Sequence, residues 1–144
     1  YYLKLSGYGT LTYNLTVSRG NSEGSKNNPV ELTLGTAHSG TIDNIDYYGN
    51  SYYKFTTSAA DNYTLTMNNS DSLSCILYSD SAFSNYVSYS YNNCSSGTSL
   101  SKTFTGTSSS AGLSGSTAYY LKISGESSTA KTTTYNITVA AEGN

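Results

Sequence analysis

A chain of 144 residues is long enough for one domain with a real core. Seven Lys and Arg against nine Asp and Glu give a net charge of −2, which excludes the clustered basic surface that nucleic acid requires. Charged residues are only 11% and hydrophobic residues 36%, with 16 Tyr, no Trp, and Ser and Thr filling about a third of the chain. Disorder has the opposite composition, and Thr, Tyr, Val and Ile favour strands. No apolar run approaches the length of a membrane span.

The chain opens on Tyr1-Tyr2-Leu3-Lys4-Leu5-Ser6-Gly7 and Tyr13-Asn14-Leu15-Thr16-Val17. Both alternate apolar and polar residues with period two, the pattern of half-buried strands, and together they predict a hairpin over 1–18. Residues 19–29 are polar up to Pro29 and read as a solvated linker. Short strands follow at Val30–Leu34, Gly40–Ile42, Ser51–Thr57 and Tyr63–Met67, the last being the cleanest alternation in the chain. Cys75-Ile76-Leu77-Tyr78 is a compact apolar run, as expected of a strand covered on both faces. A weaker pattern spans Tyr86–Tyr91, and another strand is expected over Leu100–Thr105.

The chain closes on Tyr119-Tyr120-Leu121-Lys122-Ile123-Ser124-Gly125 and Tyr135-Asn136-Ile137-Thr138-Val139, nearly the words it opened with. The heptads start at 1 and 119 and the second pieces at 13 and 135, offsets of 118 and 122. A fixed period is the signature of an array. The expected organisation is therefore a hairpin at 1–18 closing a preceding repeat, a linker at 19–29, one complete repeat at 30–140, and a new linker at 141–144. The chain thus reads as a piece of a longer protein. Eight or nine short strands with Gly, Ser, Asn and Asp turns predict an all-β fold, an antiparallel, jelly-roll-like β-sandwich.

Candidate site residues are few. Cys75 and Cys94 are the only cysteines and are expected to form a disulfide, closing a loop whose constraint would stabilise by roughly 3 kcal/mol. The alternative is a pair of buried thiols. The sole histidine, His38, lies in a polar stretch read as a solvent-exposed connector, and no nucleophile-elbow pattern accompanies it, so no catalytic residue is assigned and the chain reads as a non-enzyme. In adjacent Tyr pairs one ring faces in and its neighbour out. Tyr2, Tyr47, Tyr48, Tyr52 and Tyr120 are the candidates for outward contact with protein or glycan, against the plainer reading that they cover sheet surface. Asn14, Asn62, Asn68, Asn93 and Asn136 stand in Asn-x-Ser/Thr sequons and are candidate glycosylation sites.

Residues 30–140 resemble the bacterial pre-peptidase C-terminal domain family. The resemblance is carried by Gly40-Thr41-Ile42, an Asp before a Tyr-Tyr-x-Phe strand, the turn into Tyr63-Thr64-Leu65-Thr66-Met67, and the two closing strands. It implies a small secreted β-sandwich, repeated within or appended to extracellular bacterial proteins, some of which bind calcium, collagen or polysaccharide. No cofactor is assigned; if calcium has a role, the resemblance carries it to Asp43 and Asp46, although Tyr47-Tyr48-Gly49-Asn50-Ser51 here intervenes before Tyr52. Two functions are thus expected. The first is a structural repeat of an extracellular or cell-surface fibre, stalk or adhesin, whose partners are copies of itself or neighbouring repeats. The second is a polysaccharide- or collagen-binding accessory module of a secreted hydrolase.

Overall fold

The computed structural model describes residues 4, 6–10, 12, 22–43, 49–87, 93–94, 99–104, 112–125 and 132–143, with 93–94 and 99–104 described for their backbone alone. Its strands are β1 (Val30–Glu31), β2 (His38–Asp43), β3 (Asn50–Thr56), β4 (Tyr63–Asn69), β5 (Leu73–Tyr78), β6 (Asn93–Cys94), β7 (Ser99–Phe104), β8 (Ala118–Gly125) and β9 (Thr132–Ala141). They form two sheets, one in the order β1-β3-β8-β5-β6 and the other β2-β9-β4-β7. The fold is an all-β sandwich, as the strand spacing predicts.

The period-two alternation supplies the core. From β3 and β8 come Tyr53, Phe55, Tyr119, Leu121 and Ile123; from β2, β4 and β9 come Ile42, Leu65, Met67, Ile137 and Val139, all buried. Each such side chain stabilises the fold by about 1.5–3 kcal/mol when taken from water. Phe55 stacks on Tyr119 with ring centroids 6.0 Å apart. The buried Tyr63 hydroxyl donates to the Ala59 carbonyl at 3.0 Å and accepts from the Ser58 amide at 3.1 Å, so its polar end is satisfied at the sandwich rim. β5 is covered on both faces, as its apolar run implies.

The topology departs from the sequence expectation in three places. The closing strands are not a hairpin: β8 pairs with β3 and β5, whereas β9 pairs with β2 and β4, in the opposite sheet. The two are an arch that crosses the core. Alternation cannot distinguish these cases, because facing strands and paired strands both direct every second side chain inward. Second, β1 runs parallel to β3, with Val30 opposite Tyr53, because the chain visits the other sheet through β2 between them. Third, Tyr86 makes only an isolated antiparallel bridge to Tyr78, and Val87 returns to β5 through an amide bond to the Leu77 carbonyl at 3.0 Å. The rest of the weak strand expected at 86–91, like most of the hairpin expected at 1–18, lies outside the described residues.

Candidate functional site

The stretch ahead of β1 is tied to the sandwich. The Glu23 amide donates to Ser51 Oγ at 2.9 Å, and the Tyr52 amide donates to the Glu23 carbonyl at 2.9 Å. Gly24 follows with a φ of +64°, and a Cβ there would lie 2.4 Å from the Tyr52 carbonyl oxygen, so only glycine admits this approach. A turn closed by reciprocal 3.0 Å amide bonds between Ser25 and Asn28 then delivers the chain to β1.

This docking places the Glu23 carboxylate against His38, the first residue of β2. The Nε2–Oε2 distance is 2.6 Å, and since a carboxylate only accepts, Nε2 carries the proton. His38 is therefore a half-buried, bonded strand residue, not the exposed connector its polar neighbours suggested. Its ring also meets the Tyr53 ring edge-on, with centroids 5.5 Å apart. Tyr53 donates to Glu23 Oε2 at 3.3 Å, and its oxygen is hydrogen-bonded to the Tyr135 hydroxyl. The hydroxyls of Tyr135 and Tyr53 and the Glu23 carboxylate thus form one hydrogen-bonded chain. Burial raises the Tyr53 phenol far above the ordinary tyrosine range, reinforced by Tyr135 and Glu23. Burial also pushes Tyr135 up to about 12, against the opposing hydrogen bonds of Ser51 and Tyr53. Both phenols stay neutral at ordinary pH. Of the nearby serines, Ser39 bonds Asn136 at 2.6 Å, and Ser51, which also bonds Tyr135, reaches the Thr41 carbonyl at 3.3 Å. The group therefore has the geometry of a clamp.

Beside the clamp opens a cleft of about 500 Å³. It is lined by Glu23, by Ser39 to Thr41 of β2, by Thr134 to Asn136 of β9 and by Asn68 to Ser70. Gly40 lets the Tyr135 ring cross under β2, where a Cβ would come within 2.6 Å of the ring. The cleft continues the outer face of the four-stranded sheet. There Ser39, Asn136 and Asn68 stand opposite one another across β2, β9 and β4, flanked by Thr41 and Thr134, with Thr66 and Thr138 in the next row. Every one of these side chains is a short hydroxyl or amide, and none is buried.

The outer face of the five-stranded sheet is quite different. Tyr52 and Tyr120, expected to point outward, do so, but the loop 79–87 folds back over them and plants Phe83 between them. Its ring is 5.0 Å from that of Tyr52, 5.6 Å from Tyr120 and 5.4 Å from Tyr78. Phe83 is only 8% exposed and adopts a φ of +53°, a left-handed conformation that costs about 1–2 kcal/mol. Asp80 holds the loop, accepting from the Ser84 and Asn85 amides at 3.1 and 2.7 Å and from Ser84 Oγ at 2.6 Å. The Ser84 hydroxyl, then the Asn85 amide, lowers the Asp80 carboxyl below its usual value. Tyr86, 66% exposed, lies tilted on Tyr78, whose phenol burial and the Tyr86 contact push up to about 12.

The remaining candidate residues fall in scattered places. Asp43 ends β2 and accepts from Thr132 Oγ1 at 2.5 Å; Asp46, Tyr2, Tyr47, Tyr48 and Asn14 lie outside the described residues. Calcium takes six to eight oxygen ligands. Among the described residues no three His, Cys, Asp or Glu side chains converge. Among those residues no disulfide is formed either: the Cys75 thiol donates to Met67 Sδ at 3.3 Å. The register sets Cys94 opposite Leu73, one diagonal step along β5 from Cys75. Asn68 and Asn136 are exposed and Asn62 is half-buried in the turn before β4, while the Asn93 side chain lies outside the described residues. Glu23 and Phe83 had no sequence signal, since each sits in a polar stretch that reads as linker or turn.

No protein-family profile and no curated protein matches this chain. Among solved structures it is similar to the pre-peptidase C-terminal domain of collagenase from Bacillus anthracis, determined at 1.0 Å, with 21% identity and a TM-score of 0.54. The likeness covers 77% of this chain and 93% of that one, and it is a likeness of fold.

Proposed function

We propose that this chain is a non-catalytic accessory module of an extracellular protein, holding it on an extracellular polymer. The observation that carries the reading is the outer face of the four-stranded sheet, an open, nearly neutral array of hydroxyl and amide side chains beside a cleft. A sheet face with this composition is well hydrated and needs no cover, yet presents hydrogen-bond donors and acceptors at the regular spacing of a β-sheet. The likeness to the accessory domain of a collagenase supports the same reading. The clamp of Glu23, His38, Tyr53 and Tyr135 serves architecture in this account, fixing the entering chain to the sandwich. Co-sedimentation of the full chain with insoluble chitin, cellulose and fibrillar collagen tests the proposal. Retention on at least one polymer is expected, and retention on none would overturn it.

A second reading is favoured by the repeated words. The heptad that recurs at 1–7 is, in its second copy, β8, the middle strand of one sheet, and the partner word is β9, between β2 and β4 of the other. A copy of this arch needs both sheets of a sandwich around it. In this reading residues 1–18 are the last two strands of a preceding module, and neighbouring modules of one chain are each other's partners. The coding sequence upstream of Tyr1 decides it: strands matching β1 to β7 support the array, and unrelated sequence removes it.

A further inference from the structure

We propose that the cleft between β2, β9 and β4 is a subsite for a neutral saccharide, a stretch of uncharged sugar chain lying across the row Ser39, Asn136 and Asn68. The inference rests on the accessory-module reading and narrows it to one surface and one ligand class. The volume, about 500 Å³, is within the usual range of small-molecule sites, about 300–1,000 Å³. The lining chemistry selects among ligands. It contains one carboxylate, Glu23, and no Lys or Arg, so phosphorylated, sulfated or carboxylated chains would find no such cation in the lining to pair with. Its exposed side chains, Ser39, Asn68, Ser70, Thr134 and Asn136, carry amides and hydroxyls.

A sugar ring offers hydroxyls that both donate and accept, and the row answers with both. Ser39 Oγ donates to Asn136 Oδ1 at 2.6 Å, which fixes that amide and turns its NH₂ into the available donor. Ser70 Oγ already accepts the Thr134 amide at 3.0 Å and keeps its own hydrogen to donate. Asn68 sits directly opposite Asn136 in the register and supplies a donor and an acceptor on one exposed side chain. Directly opposed residues stand about 4.5–5.5 Å apart, so the three positions form a short ladder along which successive ring hydroxyls can bind. The ladder is prearranged by the sheet and by its own internal bond, which reduces the ordering cost of binding. Aromatic stacking, the usual alternative for sugars, is poorly served by the other sheet, where the chain's own Phe83 occupies the space between Tyr52 and Tyr120.

The test is an amide-resolved NMR titration of the full chain with cellohexaose and chitohexaose. With one of them, shifts are expected at Ser39, Asn68, Ser70, Thr134 and Asn136. The double variant Asn68→Ala/Asn136→Ala should weaken that binding at least tenfold with unchanged melting temperature, and Tyr86→Ser should leave it intact. A single Asn68→Arg variant, which crowds the cleft from an exposed position, guards against any loss of fold in the double variant. Shifts confined to 79–87, with binding lost in Tyr86→Ser, would overturn the cleft while leaving the accessory-module reading standing. So would retention on collagen with no response to either hexasaccharide, since the occupant would then be a protein. Retention on no polymer at all would remove both.

Discussion

The hydroxyl of Tyr53 on β3 and that of Tyr135 on β9 meet inside the sandwich, one contributed by each sheet, and the pair ends on the Glu23 carboxylate. Tyr53 touches both Tyr135 and Glu23, so the two phenols are not equivalent. Tyr53→Phe breaks the buried bond to Tyr135 and also removes a donor from Glu23, an expected loss of about 1–3 kcal/mol. Tyr135→Phe leaves the Tyr53–Glu23 bond in place, an expected loss of about 0.5–1.5 kcal/mol. Urea denaturation of the two variants measures the difference, and an equal or reversed order would show that the Tyr53–Glu23 bond contributes nothing to stability.

The same phenols set an alkaline limit. Tyr53, Tyr135 and Tyr78 are all raised by burial, so the folded chain holds protons that the unfolded chain releases near pH 10. A raised folded value contributes stability that is complete below the unfolded value and is lost as pH rises through the folded one. Stability should therefore be level up to about pH 10 and fall between about 10 and 12. Absorbance titration at 295 nm should show these tyrosines ionising late, together with unfolding. A single early transition of all the tyrosines in a folded chain would contradict the assignment.

Gly40 is required by its neighbour. A Cβ at this position would lie 2.6 Å from the Tyr135 ring, which is fixed by its bond to Tyr53 and cannot swing away. Gly40→Ala should cost about 1–3 kcal/mol as overpacking, and Tyr135→Leu in the same chain should recover part of it. Additive losses in the thermodynamic cycle would show that the ring and Gly40 do not meet.

The loop over Tyr52 and Tyr120 should be acid-sensitive. Asp80 is lowered in the fold, so its contribution is present above the unfolded value near 3.9 and is lost as pH falls through the folded one. Below that point the bonds to Ser84 and Asn85 weaken and Phe83 is released from its left-handed conformation. The Ser84 and Asn85 amide resonances should move together on acidification, and Asp80→Ala should show the released state already at neutral pH. Resonances unchanged by either would mean that the ring contacts of Phe83 alone hold the loop.

Much of this fold is legible in the chain. Tyr63 to Met67 and Tyr119 to Ile123 announce their strands and their buried faces, because a residue's side of the sheet depends only on its parity. Parity says nothing about which strand lies beside which. That is why 119–125 and 135–139 read as a hairpin although they lie in opposite sheets. The site was less legible than the fold. Asn68 and Asn136 were visible as sequon asparagines, but their juxtaposition comes from the β4–β9 register. Glu23 drew no attention because its role depends on a backbone bond to Tyr52 and a histidine 15 residues on. Tyr52 and Tyr120 do face outward, but their cover, Phe83, was not legible, since it comes from a turn whose conformation few non-glycine residues adopt.

Deuterium exchange of the chain bound to an insoluble polymer tests the central claim most directly. Slowed exchange over residues 132–138 of β9 and 66–70 at the end of β4, with 79–87 unchanged, is the result this account predicts. Protection centred on 79–87, or no protection anywhere in a chain that is nonetheless retained, would contradict it.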